Sequence, residues 1–210
     1  MQTSLKNKTR LGLLAALFAI AGSLALDVSA AAAQSRPYFI EFRSRNAVNY
    51  GHAFVLFGRI GTKGKIAGFH PTGDKPDCEN CSVFNWTIGH VIPVPAETGP
   101  SDGDDEPEIY LNARYRVMLT SGEYRKVAAY IKKKQADPGN WHAILNNCTH
   151  FIGDIAEYMG LEAPTPVGLL ATRLYINRMA ELNGGKPSKM KGLPEGLVRN
   201  APDTLGKNKS

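Results

Sequence analysis

The chain has 210 residues, a formal charge of +6 and 43% hydrophobic residues. That suffices for one domain with a real core and hardly for two once an N-terminal leader is set aside. No nucleic-acid motif accompanies the charge, part of which lies in Lys186, Lys189, Lys191, Arg199, Lys207 and Lys209, so the excess reads as a solubilising tail able to touch anionic lipid or cell-wall polymer.

Residues 1–33 have the pattern of a secretory signal peptide. Lys6, Lys8 and Arg10 precede an apolar stretch from Leu11 to Leu26, and Ala31, Ala32 and Ala33 offer small residues before a cut near Gln34. The stretch is short for a membrane span, and an uncleaved anchor is the alternative. Export to the periplasm or beyond follows, and it argues against a nucleic-acid partner. The expected organisation is a signal peptide over 1–33, a folded domain over 34–182 and a flexible basic tail over 183–210.

After the leader, Tyr38, Ile40 and Phe42 alternate with mixed residues, predicting a half-buried strand. Val48 to Phe57 is nearly all apolar and predicts a central strand. Arg59 to Gly64 is a glycine-marked hairpin connection, and the chain returns through Lys65 to His70, stopped by Pro71. His52 and His70 therefore fall in adjacent antiparallel strands, His52 sharing a face with Phe54, and His70 with Gly68 and Ile66. A strand histidine by itself is ordinarily a core residue with satisfied nitrogens. Two on neighbouring strands, with Gly51 and Gly68 leaving room around them, suit a base and the residue that orients it.

Pro71 to Cys81 reads as loop. In an oxidising compartment Cys78 and Cys81 most simply close a small disulfide, ahead of a redox-active pair or a zinc knuckle. Strand-like material follows around Trp86, Ile88, Val91 and Val94, with His90 in ordinary packing. Glu97 to Glu108 carries Asp102, Asp104, Asp105 and Glu106 and reads as a solvated acidic loop without the spacing of a calcium site. Arg114 to Leu119 alternates as a strand. Thr120 and Glu123 have capping-box spacing before a helix whose apolar face is Tyr124, Val127, Ala128 and Ile131 and which ends at Asp137-Pro138-Gly139.

Asn146 and Asn147 then cap a helix with Ile152, Ile155 and Met159 on one face and Gly160 at its end. That stripe, run backwards, reaches Cys148 in the first turn, where free backbone N–H groups and the helix dipole favour a thiolate. The plain alternative is an inert core cysteine. Export and the odd cysteine count favour a cysteine that is used. Thr165-Pro166 opens a last helix carrying Leu169, Leu170, Leu174, Ile176 and Met179. The layout predicts an α+β domain, an antiparallel sheet packed against about three helices.

Gly-His-Ala-Phe-Val at 51–55, His70 on the next strand, and Asn-Cys-Thr-His-Phe at 147–151 resemble the circularly permuted branch of the papain-like, NlpC/P60-type cysteine hydrolases, which includes lecithin:retinol acyltransferase-like proteins. The resemblance spans roughly residues 38–182, with the histidine strands preceding the cysteine helix. It implies Cys148 as nucleophile, His52 as base and His70 as third polar residue; apart from the resemblance, His142 or His150 could replace one of these histidines, although His150, two positions beyond Cys148 on the helix, should diverge from the thiol. The resemblance also implies covalent acyl transfer on an amide bond of a peptide or of peptidoglycan, with no organic cofactor and no metal. A lipid acyl hydrolase or acyltransferase, a secreted effector amidase, and an exported binding domain with a structural Cys148 are the alternatives. The loops over Pro71–Cys81 and Glu97–Glu108 depart from the pattern and would reshape the substrate groove.

Overall fold

The computed structural model describes residues 35–46, 51–73, 83–101, 104, 111–166 and 171–186. The expected signal peptide, the Cys78–Cys81 bridge and nearly all of the basic tail lie outside these residues. Within them the protein is α+β, one six-stranded antiparallel sheet with four helices. In chain order these are β1 (Tyr38–Arg45), β2 (His52–Arg59), β3 (Lys65–Pro71), α1 (Val83–Ile88), β4 (Val94–Gly99), β5 (Leu111–Leu119), α2 (Ser121–Ala136), β6 (Asn140–Trp141), α3 (Cys148–Tyr158) and α4 (Thr172–Leu182).

The sheet order is β5-β1-β2-β3-β4-β6. β1 pairs β2 with Phe42 opposite Val55 and Arg45 opposite His52. β2 pairs β3 with Phe54 opposite Gly68, and β3 pairs β4 with His70 opposite Glu97. One sheet face supplies Ile40, Phe42, Val55, Phe57, Ala67 and Phe69 to the core, where they join Phe151, Ile152 and Ile155 of α3 and Tyr175, Ile176 and Met179 of α4. α3 lies on β2 and β3, and α4 lies on β5 and β1. Phe69 stacks on Phe151 with centroids 5.9 Å apart, which seats the cysteine helix against β3.

β1 is buried along both faces rather than half-buried. Its second face carries Phe39, Glu41, Arg43 and Arg45, and burial of such groups requires pairing. Glu41, 1% exposed, accepts from Arg43 Nε at 2.7 Å and from Arg116 Nε at 2.6 Å, and the Arg116 guanidinium sits over the Phe39 ring.

Three elements differ from expectation. The strand-like stretch at Val83 is helical through Ile88, with the Thr87 hydroxyl donating to the Val83 carbonyl and the Gly89 N–H to the Asn85 carbonyl. Short apolar runs fit either periodicity, and here the strand begins only at Val94. β4 also runs through Glu97 to Gly99, into what reads as acidic loop. The last helix begins at Thr172, beyond Thr165-Pro166, and turns Leu174 to solvent while burying Ile176 and Met179. Both capping boxes are present, at Thr120/Glu123 and at Asn147/His150. Gly160, at φ +77°, takes the left-handed position that ends α3.

Candidate active site

Cys148 is the first residue of α3, 6% exposed and unbonded to another cysteine. Asn147 holds the start of that helix rigidly. Its Oδ1 accepts from the Thr149 backbone N–H at 2.9 Å and from the Thr149 hydroxyl at 2.7 Å, and its Nδ2 donates to the Ala143 carbonyl at 2.6 Å. The turn that precedes it is closed by paired backbone bonds between His142 and Asn146. These bonds fix the direction in which the Cys148 side chain leaves the helix.

His52 opens β2, stacked on Phe54 with centroids 5.9 Å apart, and lies close enough to Cys148 for the thiol to act on its imidazole. Its Nε2 faces Asp104 Oδ2 at 3.4 Å. Gly68, across the strand pair, makes that approach possible, because a Cβ there would stand 2.9 Å from His52 Nε2 and 3.4 Å from Asp104 Oδ2. Burial alone pushes the His52 pKa down. The Asp104 carboxylate and its hydrogen bond, helped by Cys148, more than offset this and raise it from 6.5 to about 10.

Asp104 is 2% exposed, so the acidic stretch is not uniformly solvated. Oδ1 accepts from Arg45 Nε at 3.0 Å, and Oδ2 accepts from the Ser101 backbone N–H at 2.9 Å while facing His52. Burial would raise this carboxyl's pKa, but His52, Arg45 and the Ser101 N–H overcome that and hold it well below the usual carboxylate range. Asp104 is the functional candidate missed in the sequence. Four carboxylates crowd residues 102–106, and nothing local marks the one that turns inward.

Cys148 and His52 are thus brought together, with His70 beside them. His70 meets the His52 ring edge-on at 6.3 Å between centroids, and its Nδ1 points to the Pro71 carbonyl at 3.4 Å and to Glu97 Oε1 at 3.8 Å. The position behind the base is held by Asp104. His142 and His150 are committed to the backbone: His142 Nδ1 accepts from the Ile144 and Leu145 N–H groups at 3.1 and 3.3 Å, and His150 Nδ1 accepts from the Asn147 N–H at 3.3 Å. His90 packs edge-on against Trp86 and Trp141.

A cysteine that only filled the core would have no use for a buried charged histidine beside it. Burying His52, Asp104 and Arg45 together costs desolvation energy that an apolar cluster of equal volume avoids, and perturbed groups of this kind gather at reactive centres. Cys148, His52 and Asp104 thus share one buried cluster at the start of α3.

Among the described residues no group of three or more His, Cys, Asp or Glu side chains is placed to hold a metal ion. No family model matches the chain, and no curated protein and no solved structure matches it.

Proposed function

We propose that this protein is a thiol-dependent acyl hydrolase that cleaves an amide bond of a peptide or cell-wall polymer, with Cys148 as nucleophile, His52 as proton carrier and Asp104 behind it. The observation that carries the reading is the placement of His52 beside both Cys148, at the start of a helix, and the buried Asp104 carboxylate 3.4 Å from its Nε2. His52, its pKa raised to about 10, holds a proton at neutral pH and is placed to deliver it to a leaving group.

Cys148 Sγ adds to the substrate carbonyl carbon, and the charge passes to the carbonyl oxygen. The Cys148 backbone N–H, at the first helical position where no intrahelical acceptor exists, is the natural donor to that oxygen. Asn147 Nδ2 is not free for the task, being bonded to the Ala143 carbonyl. The C–N bond breaks as His52 delivers its proton to the leaving nitrogen, giving a thioester on Cys148 and a free amine. His52, now neutral, takes a proton from water, whose oxygen attacks the thioester. The acid departs, and the proton returns to the Cys148–His52 couple.

The lipid acyl alternative has an observation of its own. Val83, Phe84, Val91, Ile92, Ile144 and Leu145 are between 47% and 78% exposed. The Ala143 N–H bonds the Gly89 carbonyl, so the two segments lie together just ahead of Cys148. Such an apolar rim suits an acyl chain.

The test offers purified protein peptidoglycan fragments, short peptides and short-chain lipid esters in parallel, and traps Cys148 as an acyl-enzyme for mass analysis. Amide cleavage with Cys148 acylated is the expected result. Ester-only cleavage would favour the lipid reading. Cys148→Ala should abolish turnover, and His52→Ala should lower it about 10²–10⁴-fold. Undiminished activity in folded Cys148→Ala would end the cysteine-hydrolase reading.

A further inference from the structure

Asp104 does not belong to a strand or helix, yet the proposed chemistry needs its carboxylate aimed at His52. Its direction is set from β1. Arg45 stands directly opposite His52 in the β1–β2 register, and both side chains reach the same carboxylate from neighbouring strands. Arg45 Nε donates to Asp104 Oδ1 at 3.0 Å, and its Nη2 donates to the Ser101 hydroxyl at 3.4 Å. The same guanidinium therefore grips both ends of the Ser101–Asp104 turn, whose own bond runs from the Asp104 N–H to the Ser101 carbonyl at 3.1 Å. Its third nitrogen, Nη1, donates to the Asn46 carbonyl at 3.3 Å, which ties the guanidinium to the end of β1. The Arg45 side chain is 10% exposed, and that of Asp104 is fully buried.

We infer that Arg45 is a positioning residue for the acyl-transfer site: by occupying Oδ1 and anchoring Ser101, it rotates Asp104 so that Oδ2 faces His52 Nε2. This rests on the reading of Cys148 and His52 as nucleophile and proton carrier. The division of labour between the oxygens supports it, since Oδ1 serves Arg45 and Oδ2 serves Ser101 and His52. A carboxylate without the Arg45 bond would turn about its Cβ–Cγ bond, and a planar guanidinium with donors in a fixed fork resists that turn in a way a single ammonium does not.

The test uses the full chain, Arg45→Gln and Arg45→Lys, with p-nitrophenyl acetate as the probe. Two readouts are taken on protein shown to be folded by circular dichroism. One is the slowly exchanging, downfield proton resonance of His52 Nε2–H, which reports how the Asp104 carboxylate faces it. The other is hydrolysis of the acetyl group from Cys148, followed by mass after a single acylation. In Arg45→Gln the resonance should vanish and deacylation should slow about 10²-fold, the scale expected of a misplaced catalytic group. Arg45→Lys should restore part of both, because the charge stays while the second anchor is lost.

A merely structural role would lower melting temperature and leave the resonance and the rate per folded molecule unchanged. That outcome in Arg45→Gln overturns the inference. If Arg45→Gln does not fold, Arg45→Lys decides: a weakened resonance with slower deacylation supports the inference, and wild-type values for both overturn it. Failure of the underlying reading looks different, as wild-type protein that never carries acetyl on Cys148.

Discussion

Replacing Asp104 by Asn changes one oxygen to a nitrogen and removes one charge, keeping the volume. The consequence for His52 follows from the forces already named: burial pushes its pKa below 6.5, and the carboxylate opposes burial to reach about 10. Without the carboxylate only Cys148 still opposes burial, so the His52 midpoint should fall well below about 10. The sign of the stability change is fixed as well. Folded His52 holds its proton to about pH 10 and the unfolded chain only to 6.5, so its contribution is complete below 6.5 and is lost as pH rises through 10. That downward slope should weaken in Asp104→Asn. The substitution also leaves the buried Arg45 guanidinium without its anion, a loss of roughly 3–5 kcal/mol, or about 6–20 °C in melting temperature for a domain of this size. The assay is a pH titration of the histidine ring resonances by NMR beside thermal melts at pH 6, 8 and 10. A folded Asp104→Asn protein with His52 still titrating near 10 would refute the reasoning, because no other named carboxylate reaches that ring.

Further outcomes are expected elsewhere in the fold. Gly68→Ala should cost about 1–3 kcal/mol and reduce acyl transfer, since the new methyl group would stand 2.9 Å from His52 Nε2 with the Gly99 carbonyl 3.2 Å away; urea melts and acetyl turnover read the two effects. Gly153→Ala should destabilise by a similar amount, because its Cβ would lie 2.5 Å from the Tyr175 hydroxyl. Tyr175→Phe removes a buried hydroxyl that has no hydrogen-bond partner among the described residues, so it should be neutral or stabilising and should recover most of the Gly153→Ala loss in the double variant, as thermal melts would show. Thr120→Ala breaks the cap of α2, far from Cys148 in the chain, and should cost about 1 kcal/mol while leaving acetyl turnover per folded molecule intact.

Much of the scaffold was legible because its signals are local. Alternation marked β1, a nearly continuous apolar run marked β2, a glycine-marked turn and Pro71 bounded β3, the Thr120 and Asn147 caps marked two helices, and the stripe through Ile152 and Ile155 aimed Cys148 at the sheet. What escaped depends on contacts distant in sequence. Val83 to Ile88 carries an apolar run too short to separate strand from helix, and its helical state is decided partly by Asn85 reaching the Thr72 carbonyl. Asp104 escaped for a related reason: its burial rests on Arg45, 59 positions away, and on His52. His70 looked equal to His52 on sequence because both face the same side of adjacent strands. Glu97 on the next strand gives His70 a different polar neighbour.

The pairing of Arg45 with His52 bears on the order in which the protein comes together. In a nascent β1–β2 hairpin at mildly acidic pH, two cations would face each other across the strands, and like charges directly opposite disfavour pairing. That end of the hairpin gains its compensating anion only when the Ser101–Asp104 turn docks, after β3 and β4 have been added. The His52 end of the β1–β2 pair should therefore stay frayed until late. In native-state hydrogen exchange, the first amides of β2 and the Ser101 amide should open as one unit, at a lower free energy than the β1–β2 centre around Phe42 and Val55. On the proposed function, a half-folded chain would then carry Cys148 without its proton carrier in place until the fold is complete.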